Sequence, residues 1–399
     1  MLHIVADANI PHAREAFSRY GTVTALPGRE ITPEALSGAN VLLVRSVTPV
    51  SPSTLVGTPV RFVASATAGM DHVAAGPLAR EGIGVAHAPG SNAASVVDWV
   101  VAALLRIAAE KHVGLEGKTL GVVGVGAVGG RLADRARALG VRVLRCDPPR
   151  AERGDPGPWV PLATLLDASD IVTVHTPLAR EAPHATLHLL GAAKLGAMRD
   201  GAWLVNAARG PVVDGDALFR ALASGRLGAT ALDVWEGEPV PNTSLASRVD
   251  IATPHIAGYA FDGKIRGTVM VEAALREWLS TQGHPLPEPW DPESALAPEA
   301  PLVVDAPLAP VDTPEARAAW LDALVRQAYD IRADDRRFRG AVVTMPDPDR
   351  RAVAFAELRR TYPVRREWSR YRVRGHVPEP LVPAVTRGLG MALDTPGDR

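Results

Sequence analysis

A single cysteine, Cys146, is all the thiol this chain has. No internal disulfide can form and a cysteine-based zinc site is excluded, which suits a reducing compartment. Lysine is almost as scarce: of 43 basic residues only four (111, 118, 194 and 264) are lysine, so a single arginine carries little information by itself. Charge of either sign is not in excess, and a net −1 gives no global pull toward nucleic acid or an anionic membrane. Long apolar runs are missing too. The most apolar helical stretch, residues 93–109, is broken by Asp98 and Arg106 and is too short to span a bilayer. The opening Met-Leu-His-Ile-Val-Ala-Asp has neither a basic start nor a long apolar core, so no signal peptide and a cytoplasmic location are expected. No repeat of solenoid period is visible.

What is present is enough apolar residue, 47% of 399, to fill two or three cores. The chain is organised around residues 117–147. An apolar run at 119–123 has the length of a buried parallel strand. Gly124, Gly126 and Gly129 follow at G-x-G-x-x-G spacing. Val128, Leu132, Ala136 and Leu139 then recur at helical spacing, and Gly140 sits where a helix C-cap belongs. A second apolar run at 141–144 leads to Asp147, 18 residues past Gly129. Gly124 would permit the tight turn, Gly126 the approach of a pyrophosphate to the backbone, and Gly129 close packing of helix on strand. Asp147 would accept from the adenosine ribose hydroxyls and repel a 2′-phosphate, favouring NAD over NADP, although Arg145 and Arg150 flank it.

Strands are expected at residues 2–5, 41–44, 61–65 and 83–86, alternating with helices, of which 11–20 is one. Their ends deliver Arg45 and Ser46, then Thr67 within Thr-Ala-Gly-Met-Asp-His, then Ser91. Alternation implies a parallel sheet whose ligands gather beyond the strands' carboxyl ends. After Asp147, strand ends are expected before His175-Thr176-Pro177, before Asn206 to Gly210, before Asp233, and before Pro254 to Tyr259. A helix over 263–281 could return the chain to its first domain. Residues 283–314, rich in proline and acid, read as linker, and 312–328 as a capped amphipathic helix. The stretch 332–374 holds 13 arginines against six acids, which reads better as a solvated or subunit-contact surface than as a nucleic-acid site.

Three residues fit oxidation of a carboxylate-bearing alcohol. Arg209 could clamp a carboxylate with its fork of donors. His255 could take the hydroxyl proton as hydride leaves the neighbouring carbon. Glu238, if bonded to the other imidazole nitrogen, would fix its tautomer.

The order G-x-G-x-x-G, His-Thr-Pro, Asn-x-x-Arg-Gly, Asp-Val-Trp-x-x-Glu-Pro and Thr-Pro-His-Ile-Ala-Gly resembles the D-isomer-specific 2-hydroxyacid dehydrogenases. The resemblance runs from residue 1 to about 374 and implies an α/β chain of three parts. A flavodoxin-like substrate-binding (lid) domain would span 1–95 plus 260–283. A Rossmann-type doubly wound parallel-sheet NAD domain would span 96–259, and a small C-terminal α+β dimerisation domain 284–399. It implies Arg209, Glu238 and His255 as the catalytic set, and Ser46, Thr67 and Tyr259 as contacts of a small phosphorylated 2-hydroxy acid. It adds Asp147, Thr176, Asp233 and Gly258 to the glycine-rich loop as NAD contacts. A homodimer without metal, nucleic-acid partner or membrane is expected. Ser91 and Ala208 stand where the family often has cysteine, neither an expected catalytic group. The substrate phosphate needs a cation, and Arg45 and a partner subunit's arginine, with Arg350 and Arg351 the pair to test, are the expectation. Phosphoglycerate- or glyoxylate-type dehydrogenases and a non-catalytic NAD-sensing regulator remain alternatives.

Overall fold

The computed structural model describes residues 2–394. Contacts divide the chain into two units: the N-terminus to Ala93 with Ala260–Ala300, and Ala94–Tyr259 with the chain from Pro301 onward.

The first unit is a five-stranded sheet of β1 (Leu2–Asp7), β2 (Gly21–Leu26), β3 (Val41–Val44), β4 (Phe62–Ser65) and β5 (Gly84–His87). The order is β2-β1-β3-β4-β5 and every pairing is parallel, the flavodoxin-like arrangement. β3 and β4 are buried throughout because both sheet faces are covered. One face packs on the helix Phe261–Thr281, which lies so close that a Cβ on Gly84 would sit 2.9 Å from Trp278. The helix expected over 11–20 is shorter, Ala13–Phe17, because His12 enters it in the left-handed region (φ 53°). His12 stacks on Trp290, which with Leu296 is buried in the same core. Part of the stretch expected as linker is therefore anchored by two apolar side chains.

The second unit holds β6 (Thr119–Val123), β7 (Arg142–Cys146), β8 (Ile171–Val174), β9 (Ala202–Asn206), β10 (Leu227–Leu232) and β11 (Ile251–Ala252). Their order, β11-β10-β9-β8-β6-β7, is again wholly parallel. It reverses at β6/β8, the switch point at which open α/β sheets take ligands. A single bridge from Arg145 to Trp159 extends the β7 edge.

The chain from Pro301 onward adds a small parallel sheet of β12 (Val303–Asp305), β13 (Arg372–Arg374) and β14 (Ala392–Leu393). It also adds the helices Pro314–Ala328, Ile331–Phe338 and Pro348–Arg360. Thr313 caps the first, its side chain accepting from the Ala316 N–H. Trp320, Leu324 and Trp368 share one apolar cluster with Leu120, Val122 and Leu132, while Phe338 and Phe355 share the other with Leu204 and Trp235. These residues thus complete the cores on both faces of the six-stranded sheet. Among the described residues no helix is long and apolar enough to cross a membrane.

Candidate active site

Register brings the motifs of the second unit to one rim. Cys146 pairs with Val123, Val123 with Val174, Val174 with Asn206, Asn206 with Leu232, and Leu232 with Ala252. The residues that follow each end, Asp147, Gly124, Thr176, Arg209, Asp233 and His255, therefore emerge side by side.

The glycine-rich turn is shaped by sterics. Gly124 has φ +85°, and a Cβ there would lie 2.8 Å from the His175 carbonyl carbon. A Cβ on Gly129 would lie 2.0 Å from the Gly124 oxygen, so only glycine lets the helix Ala127–Ala138 approach the strand. Gly126, its N-cap, faces open space and offers no side-chain cap, leaving the first-turn N–H groups for an anion. Asp147 Oδ2 accepts from the Val125 N–H (2.8 Å), which ties the end of β7 to the turn. Arg150 bonds Asp155 (2.7 Å) and the Val125 carbonyl (2.8 Å), and both Arg145 and Arg150 lie over the Trp159 ring. The Thr176 hydroxyl is buried without a hydrogen-bond partner. An open helix start, a free hydroxyl on the same rim and a carboxylate at the end of the second strand fit a dinucleotide.

At the other end of the rim, His255 sits in the left-handed region (φ 58°). That conformation is uncommon for a side chain with Cβ and needs surrounding bonds to hold it. They come from Asp233, which is 1% exposed. Its Oδ1 accepts from the Thr253 hydroxyl (2.5 Å) and the Ile256 N–H (2.8 Å), and its Oδ2 from the Ala257 N–H (2.8 Å). Burial pushes the Asp233 carboxyl above the usual range, with nearby His255 and these donors opposing the shift. The carbonyls of the same loop are held from the opposite side. Arg365, buried, donates from Nη2 to the Ile256 and Ala257 oxygens and lies over the Tyr329 ring at 4.5 Å.

His255 Nδ1 is 2.7 Å from Glu238 Oε2, and Glu238 Oε1 accepts from the Trp235 N–H at 2.7 Å. Burial raises the Glu238 acid, but the His255 imidazole, both hydrogen bonds and the Arg359 guanidinium together outweigh it and hold the carboxyl below its ordinary value. Arg209 leaves β9 through a turn closed by Asn206, whose side chain accepts from the Ala208 N–H and donates to the Arg209 oxygen, both at 3.0 Å. The next residue, Gly210, presses on the Trp235 backbone so closely that a Cβ would lie 2.0 Å from its carbonyl carbon. The Arg209 turn and the Glu238 support are thus packed on one another.

Ser46 and Thr67 lie at the ends of β3 and β4 in the first unit, where Thr67 Oγ1 shares a bond with Ser65 (2.7 Å) and donates to the Gly69 oxygen (3.1 Å). Arg45 donates to the Asn9 oxygen at 2.8 Å, and Arg351 to the Met345 oxygen at 2.9 Å. Sequence reasoning missed Arg359 and Arg365. Arg359 was signalled only by its place in an arginine-rich stretch, and Arg365 also by the run Arg365-Arg366-Glu367-Trp368-Ser369 that shares in the family resemblance. Among the described residues no group of three His, Cys, Asp or Glu could hold a metal.

A fold with this rim defines a class: residues 95–257 match the family model described as D-isomer specific 2-hydroxyacid dehydrogenase, NAD binding domain. Residues 310–384 match a second model described only as a domain of unknown function. The chain is 50% identical to an erythronate-4-phosphate dehydrogenase of Salinibacter ruber, over 98% of this chain and 99% of that one. It is 47% identical to the enzyme of that name from Pectobacterium atrosepticum, over 92% and 93%. A solved D-lactate dehydrogenase from Aquifex aeolicus, complexed with NAD and lactic acid, is 25% identical with a TM-score of 0.56. It matches 70% of this chain and 96% of its own. The chain belongs to the erythronate-4-phosphate dehydrogenase family.

Proposed function

We propose that this protein oxidises 4-phospho-D-erythronate at C2 to 2-oxo-3-hydroxy-4-phosphobutanoate, with NAD as hydride acceptor, in the biosynthesis of pyridoxal 5′-phosphate. The observation that carries the chemistry is the 2.7 Å bond between His255 and Glu238 at the end of the NAD-domain sheet. With Glu238 ionised, that bond requires the imidazole proton on Nδ1, so Nε2 bears the lone pair. Nε2 accepts the C2 hydroxyl proton as the alcohol is oxidised, and Glu238 stabilises the imidazolium that results. NAD, when bound, supplies the hydride acceptor. Arg209 pairs with the substrate carboxylate and fixes which face of C2 is presented. Tyr259, with Ser46 and Thr67 of the first unit, completes the substrate contacts.

The cofactor is held by the N–H groups behind Gly124, Gly126 and Gly129, by Asp147 at the ribose and by Thr176. Asp233 and Gly258 serve the nicotinamide end, Asp233 by fixing the loop that carries His255. We read the enzyme as a cytoplasmic homodimer joined through the C-terminal region, where Val353 and Val364 stand exposed at 70% and 78%.

The test is turnover. Purified protein with NAD and 4-phosphoerythronate should produce the absorbance of the reduced nicotinamide, faster than with the dephosphorylated acid, 3-phosphoglycerate or lactate. Equal or faster turnover of 3-phosphoglycerate would assign a different substrate, and no turnover with any of them would favour an NAD-sensing regulator.

A further inference from the structure

The substrate just named carries two anionic ends, and only the carboxylate has a cation assigned to it. The 332–374 stretch is rich in arginine, but most of its guanidinium groups are already engaged. Arg332 is paired with Glu110 and Asp335, Arg337 with Asp334, Arg339 with Asp335, Arg360 with Glu357 and Arg374 with Asp305. Arg351 is spent on the Met345 and Pro346 carbonyls, and Arg365 on those of Ile256 and Ala257.

Arg359 differs from all of these. It lies in the last turn of the helix Pro348–Arg360, and its Nε is buried with no hydrogen-bond partner. Its guanidinium lies 5.6 Å over the Tyr259 ring and 5.9 Å over that of Phe355. Tyr259 follows Gly258 directly and stands four residues from His255. The ordinary account of a basic residue in a last helical turn is that it complements the helix dipole from solvent. Arg359 is half-buried, and its Nε, beside two rings, has given up solvent without gaining a partner. Burying a charged donor without a partner is costly, and an incoming anion offsets the cost.

We propose that Arg359 is the phosphate-binding residue of the substrate site, its guanidinium held over Tyr259 so that its donors meet the C4 phosphate. The inference rests on the substrate reading given above. It places the phosphate near the Tyr259 side of the dyad, with the carboxylate at Arg209 and C2 at His255. It also gives the region whose family model is described as a domain of unknown function a direct part in substrate selection. Arginine suits the role because its planar fork bonds two phosphate oxygens at once.

The experiment compares wild type, Arg359→Met and Arg359→Lys in steady-state assays with NAD and either 4-phosphoerythronate or D-erythronate, and measures inhibition by inorganic phosphate. Arg359→Met should raise KM for the phosphorylated acid by about tenfold to a hundredfold, the range of a charge-assisted pair. The loss with D-erythronate should be much smaller, so the preference for phosphate collapses. Lysine should restore part of it. Equal losses on both acids, or none on either, would overturn the assignment, the former pointing to support of Tyr259 or Glu238. If wild type itself does not prefer the phosphorylated acid, the substrate reading has failed. Arg359 is then judged by inorganic phosphate alone: inhibition retained in the methionine variant overturns the proposal, and inhibition lost upholds it.

Discussion

The two large sheets are built alike and equipped differently. Both are parallel and both are covered on two faces, so both offer the ends of their strands as a rim. In the first unit the turn after β1 runs Ala8-Asn9-Ile10-Pro11-His12 without a glycine, and Asn9 bonds back to Asp7 at 2.8 Å. The rim hydroxyl of Thr67 is likewise bonded within its own unit. In the second unit the corresponding turn is open at Gly126, Thr176 has an unpartnered hydroxyl, and the final loop is clamped by Asp233 and Arg365 around a strained His255. A shared architecture supplies the place, and only the side chains at the rim decide the chemistry.

Substitution on each rim should break this symmetry most plainly. His255→Ala should lower kcat by roughly a thousandfold, within the range for loss of a general base, while nucleotide titration finds NAD affinity little changed. Thr67→Val, on the other rim, should raise KM by about threefold to tenfold, the value of one neutral hydrogen bond. A comparable collapse of kcat in both would erase the distinction drawn here.

An effect smaller than that of His255→Ala tests the clamp. Arg365→Met removes the donor to the Ile256 and Ala257 carbonyls and leaves them without it in a buried site. We expect a loss of about 2–4 kcal/mol in stability by denaturant unfolding. The folded fraction should show a roughly tenfold lower kcat with KM for NAD near wild type. Full kcat in the folded variant would mean that Asp233 alone suffices.

The smallest expected effect concerns the half-buried His175 on the same rim. Burial lowers the His175 imidazole to about 4. The unfolded chain, with an ordinary imidazole near 6.5, therefore binds a proton that the folded protein refuses. The stability due to the neutral ring is fully present above pH 6.5 and is lost as pH falls toward 4. The loss is on the order of 2 kcal/mol, allowing for partial exposure. Urea unfolding at pH 7 and pH 5 should reveal it, and His175→Gln should flatten the difference.

Much of this arrangement was legible in the amino-acid order, for a physical reason. Strands buried on two faces are continuous apolar runs, and the residues that end them follow in sequence, so the rim could be read motif by motif. The edge strand β2 escaped because its Gly-Thr-Val-Thr-Ala-Leu is only partly buried and has no such run. Residues 283–300 read as linker because proline and acid mask Trp290 and Leu296, whose packing depends on a helix and strands far away in the chain. The arginine stretch was hardest. Whether a guanidinium meets solvent, a carbonyl or an aromatic ring depends on tertiary neighbours, so Arg359, Arg360 and Arg365 look alike in sequence and have three separate fates.

The sharing of apolar clusters by Trp320 and Trp368 with the strand β6 limits what can be cut from this protein. A chain ended after the helix that closes at Thr281 would retain every dehydrogenase motif and match the extent of its shorter structural relatives. It would nonetheless expose the sheet face those tryptophans cover and release the loop that carries His255 from Arg365. Trimming this protein to its recognisable part would strip apolar side chains from the cores on both faces of the six-stranded sheet.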